Sequence, residues 1–181
     1  MSDGFEQARA QRNVLERLID RIPGFRGFQD RELRRDVDKL QREHLAAEVG
    51  RVKAALREHA RAYTDAGRIG VLDRFERLDR RLDGLALSIR HADYGASGLF
   101  APEKVSEADL ARLYEFDLSL LDDLAALARL ASQVPPPGGG AAPGDGEPEA
   151  ALDAVLAQVR ATETKWRGRE SVISKVVQTA G

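Results

Sequence analysis

Leu72, Phe75, Leu78, Leu82, Leu85 and Ile89 step along the chain by three and four residues, and this rhythm limits what the chain can fold into. Apolar residues at that spacing fall on one face of an α-helix, whereas a half-buried strand needs strict alternation. Between them lie Arg74, Glu76, Arg77, Arg80, Arg81 and Asp83, the solvated side of the same helix. The rhythm recurs upstream in Leu33, Val37 and Leu40, and then in Leu45, Val49, Val52, Leu56, Ala60 and Tyr63. A one-residue shift near His44 separates these two runs and turns the stripe by about 100°. Aromatic residues make up only 6% of the chain and β-branched runs are nearly absent, so a large sheet is not expected. The expected fold is all-α: an antiparallel helical bundle with a long coiled-coil-like hairpin.

Breaks in the pattern divide the chain. A first helix over residues 3–21 ends at Ile22-Pro23-Gly24, where proline disfavours helix at the preceding residue. A second over 30–63 forms a rod of about 50 Å, and Asp65 to Gly70 supplies its turn. A third covers 71–90, and a second break follows at 91–102. Ser106 and Asp109 resemble a capping box at the start of a fourth helix, which runs to about residue 133 with Leu113, Leu120, Leu124 and Leu127. Residues 135–150 are rich in Pro and Gly, hold no large apolar side chain and read as a disordered tether. A fifth, amphipathic helix follows, with Leu152, Val155, Val159, Thr162 and Trp166 near one stripe and an interruption expected at Arg167-Gly168-Arg169. The resulting domains are a helical bundle at 1–134, a linker at 135–150 and a C-terminal helix at 151–181.

Composition narrows the function. Against 28 basic residues stand 30 acidic ones, a formal net charge of −2, so nucleic acid is not an expected partner. Cysteine is absent, which removes disulfides, thiolate catalysis and Cys-ligated zinc. The N-terminus lacks the basic and apolar regions of a signal peptide, and no apolar run approaches the roughly 20 residues of a membrane span. Arg greatly outnumbers Lys, which reads as bacterial codon usage, and the expected location is the cytoplasm or the periphery of the inner membrane. His44, His59 and His91 are the three histidines. The first two would stand about 22 Å apart on one helix, too far to share a metal ion. No zinc-protease, nucleophile-elbow or phosphate-loop motif occurs, so no catalytic residue, cofactor or metal is assigned.

Two unusual loops remain. Residues 22–28 carry Phe25, Arg26 and Phe28; residues 93–100 carry Tyr94 and Phe100. In an antiparallel hairpin both belong to the same end. Either the rings plug the open end of the bundle, or they form a recognition surface of the aromatic-plus-Arg kind common at interfaces. The fifth helix adds Trp166, flanked by Lys165, Arg167 and Arg169, and reads as docking on its own domain, on a partner's groove or on an anionic membrane surface. The expected function is a non-enzymatic interaction or scaffold protein acting through its coiled-coil surfaces and tethered helix, with a protein partner, self-association as a homodimer, or both. The alternatives are a peripheral membrane organiser and a small-molecule enzyme with Arg26, Asp93 and Tyr94 at the two-loop end.

Overall fold

The computed structural model describes residues 14, 16–18, 20–22, 34–92, 107–138 and 148–179. Every regular element among them is helical, as the apolar spacing requires. Helix α1 is described at residues 14, 16–18, 20 and 21. It is followed by α2 (Arg34–Asp65), α3 (Leu72–Arg90), α4 (Glu107–Ser132) and α5 (Pro148–Thr179), with a short 3-10 turn at Ile69–Val71.

The turn between α2 and α3 is fixed by glycine. Gly67 has φ 68°, a left-handed conformation that costs other residues a Cβ clash. Its amide donates to Thr64 O and that of Arg68 to Tyr63 O, the paired bonds of a Schellman helix end.

Helix α2 packs against α3 and α4, and α5 packs against α4 and α3. The contacts also set direction. Arg42 near the start of α2 donates to Arg90 O at the end of α3, so these two helices are antiparallel. Arg74 and Arg81 of α3 pair in order with Asp153 and Glu163 of α5, so these two run parallel. At the far end of α2, the Tyr63 hydroxyl donates to Pro135 O just beyond α4, at 2.8 Å. Helices α2 and α4 therefore also run parallel. Residues 91–106 consequently link two helices that stand across the core from each other, which is why this connection is longer than the α2–α3 turn.

One apolar core joins all five segments. Leu18 of α1, Val49 of α2, Leu82 of α3, Leu127 of α4 and Leu152 of α5 are all fully buried in it. In α3 the expected stripe is the buried one: Phe75, Leu78, Leu82, Leu85 and Ile89 face inward, with Leu72 half-buried.

Helix α5 begins at Pro148, and proline is well suited to the first helical position, where its missing N–H is not needed. It also runs unbroken through Arg167-Gly168-Arg169, because Arg169 points into the core rather than to solvent. Of the Pro/Gly segment expected as a tether, residues 139–147 lie outside the described residues.

Candidate functional site: the charged end of the helical core

The start of α2, the end of α3, the first half of α4 and the second half of α5 come together, and a charged cluster is buried there. Arg169 of α5 is 4% exposed and Asp117 of α4 is 1% exposed. The Arg169 guanidinium donates to both Asp117 oxygens, from Nε at 2.8 Å and from Nη2 at 3.0 Å. Its Nη2 also donates to Asp38 Oδ1 of α2 at 2.9 Å. The second Asp38 oxygen accepts from Arg42 Nε at 2.8 Å, and Arg42 Nη1 reaches Arg90 O at 2.8 Å. Three helices thus share one guanidinium, and a second guanidinium bonds the last carbonyl of a fourth, where a cation suits the helix dipole.

The charges balance: two aspartates face two arginines. Burial alone would lower the Arg169 pKa, but Asp117 and Asp38 outweigh it and hold Arg169 above its ordinary value, so the guanidinium stays charged. Burial also pushes the Asp117 carboxyl up, against the pull of Arg169. Both carboxylates are tied to guanidinium groups, and through them the cluster links α2, α4 and α5. The Trp166 ring lies beneath it, with Arg169 Cζ 5.3 Å from the ring centroid.

Two neighbours extend the polar end. Gln41 is buried, and its Nε2 has no hydrogen-bond partner among the described residues. His44 is half-buried beside Glu48, with Nε2 3.6 Å from Oε1. Burial lowers the His44 pKa, with Glu48 pulling it up and Arg51 adding to the lowering.

Sequence reasoning named a different set. Phe25, Arg26, Phe28, Asp93, Tyr94 and Phe100 lie outside the described residues. The start of α2 and the end of α3, which lead into those two segments, do share this charged end, as the Arg42 to Arg90 bond shows. Trp166 is described and is 7% exposed, covered by the chain's own helices.

Asp38, Arg42, Asp117 and Arg169 were missed, although a signal for them existed. They occupy seam positions: Asp38 and Arg42 lead into Leu45 and Val49, Asp117 stands between Leu113 and Leu120, and Arg169 follows Trp166 by three. The apparent shift near His44 is the place where the seam turns polar.

Elsewhere, the α2–α3 face holds a shallow cleft of about 160 Å³ floored by Leu56, Ala60, Phe75 and Leu82. That is below the roughly 300–1,000 Å³ of small-molecule sites. Among the described residues no three His, Asp or Glu side chains gather as a metal set, and no helix is long and apolar enough to cross a membrane. Comparisons with protein families, with curated proteins and with solved structures give no match.

Proposed function

We propose that this chain is a non-enzymatic helical interaction protein whose contact surface is the charged end of its core. The observation that carries this reading is the Arg169–Asp117–Asp38–Arg42 cluster. Ions buried this way add little net stability compared with apolar residues of the same size, but they fix how neighbouring elements meet. Here they fix four helices at the end where the segments bearing Phe25, Arg26, Phe28, Tyr94 and Phe100 join the core. Aromatic residues and arginine in segments that lead directly into these tied helix ends supply the side-chain chemistry a recognition surface uses. Docking of α5 on its own core supports a reading in which the loops, rather than a free fifth helix, meet the partner.

The test is affinity capture from the native host with the full chain, paired with light scattering for self-association. Wild-type protein is expected to retain a partner or a second copy, and Phe28→Ala/Tyr94→Ala is expected to lose it while keeping its helical circular dichroism and melting temperature. Capture that is indifferent to both loops would remove the assignment of the surface. A chain that is monomeric and captures nothing would remove the function.

A further inference from the structure

Helix α5 is held by two different grips. Its first half docks through Leu152, Val155, Leu156 and Val159, all buried. Its second half, from Thr162, docks mainly through polar contacts. Glu163 pairs with Arg81 at 2.6 Å, Lys165 with Asp123 at 2.7 Å, and Arg169 with Asp117 and Asp38. Trp166 is the one buried apolar side chain among the described residues of this half, with Val172 and Ile173 half-buried. Apolar contacts are lost outright when a helix lifts away, whereas separated ions regain hydration that offsets much of their attraction.

The helix itself is also weaker in this half. The first half is rich in Ala and Leu, the strongest helix formers. The second contains Gly168, and a Cβ built there would meet nothing within 4 Å. No close approach requires this glycine, yet it lowers helix stability. Thr162 Oγ1 bonds back to Gln158 O at 2.9 Å, a bond that bends helices slightly, and it marks where the two halves meet. Val172 and Ile173 follow, β-branched residues that lose rotamer freedom in a helix.

We infer that α5 beyond Thr162 is a hinged strap over the charged end, which opens while residues 148–160 stay docked. Opening withdraws Arg169 and uncovers the Asp117 and Asp38 carboxylates together with the Trp166 face. The exposed pair is then a receptor for a guanidinium, which Arg169 fills in the closed state. The strap governs access to this acceptor on the helices themselves, whatever the neighbouring loops bind. Its opening is an intramolecular step that the function proposed above does not require.

Hydrogen exchange on the full chain tests it, because local opening sets amide exchange rates independently of global unfolding. Amides of residues 162–170 are expected to exchange at least tenfold faster than those of 150–160. In Gly168→Ala the first window should slow about fivefold, in line with the Gly-to-Ala helix preference, while the second is unchanged. The chain has a single tryptophan, so acrylamide quenching of Trp166 fluorescence gives a second reading of the same opening, and it should fall in Gly168→Ala. Equal rates in the two windows of wild-type protein would overturn the inference, as would fast exchange confined to residues after 173, which is ordinary end fraying.

Discussion

The two ends of the helical core are closed in different ways. At the charged end, a guanidinium on α5 is clasped by carboxylates from α2 and α4. At the other end, Tyr63 packs against Phe75, with ring centroids 5.7 Å apart, and makes one neutral hydrogen bond to Pro135 O. The apolar end gains by removing surface from water and tolerates imprecise packing partners. The charged end gains little from burial, but it tolerates no partner that fails to present the right charge at the right place. The contrast predicts that the polar contacts at the charged end serve alignment more than stability, and that those at the Tyr63 end add a small increment to apolar packing.

The largest effect that would sharpen this contrast is at Arg169. Arg169→Met leaves Asp117 buried without its cation and is expected to cost about 3–5 kcal/mol in denaturant unfolding. Adding Asp117→Leu removes the stranded charge and leaves Asp38 paired with Arg42. The double variant should recover most of the loss, to within about 1 kcal/mol of wild type or above it. If the double variant is as unstable as the single, the cluster contributes stability rather than alignment, and the contrast between the two ends fails.

A smaller effect is expected at the opposite end. Tyr63→Phe keeps the ring against Phe75 and removes only the bond to Pro135 O, so it should cost about 0.5–1.5 kcal/mol. A loss as large as that of Arg169→Met would mean that the Tyr63 end is also organised around its polar contact.

The all-helical class of the fold was legible in the sequence. The three-and-four spacing in α3 names the side chains that are buried, and the chain turns after Asp65 because Gly67 takes the left-handed conformation found there. The charged site was far less legible. Arg169 sits in an Arg-Gly-Arg triplet that looks like a solvated break, and its burial depends on Asp117 and Asp38, which lie far away in the chain. Local propensity carries no information about such pairings. The seam periodicity does: carrying the three-and-four step through Asp38, Asp117 and Arg169, rather than skipping to the next leucine, places a charge in the core of each of three helices. Trp166 was open to several readings for the same reason, because a tryptophan flanked by basic residues has the same sequence signature on a surface as under a buried guanidinium.

His44 gives a pH test of the charged end. Its folded-state pKa is lowered, chiefly by burial. Folding therefore favours the neutral ring. This contribution is fully present above the unfolded value of about 6.5 and is lost as pH falls through the lower folded value. The melting temperature of wild-type protein should decline from pH 7 toward pH 5 more than that of His44→Gln. Identical slopes would show that the ring is as hydrated in the folded chain as in the unfolded one.

The smallest effect isolates depth from geometry. Arg57 grips Asp79 across α2 and α3 with Nε to Oδ1 at 2.6 Å and Nη2 to Oδ2 at 3.1 Å, the same two-pronged contact that Arg169 makes with Asp117. Arg57 and the other cations beside it, Lys53 included, hold the Asp79 pKa below its ordinary value, with the Arg57 hydrogen bond as the main cause. This pair lies at the surface, where water screens the attraction and ordering two long side chains opposes it. Arg57→Ala is expected to leave the unfolding midpoint near neutral pH almost unchanged. Any contribution from Asp79 is present above the ordinary carboxylate pKa and fades only as pH falls through the lowered folded value. A loss at Arg57 comparable to that at Arg169 would show that the two-pronged geometry is what matters, and burial of the charged end would then lose its meaning as the source of alignment.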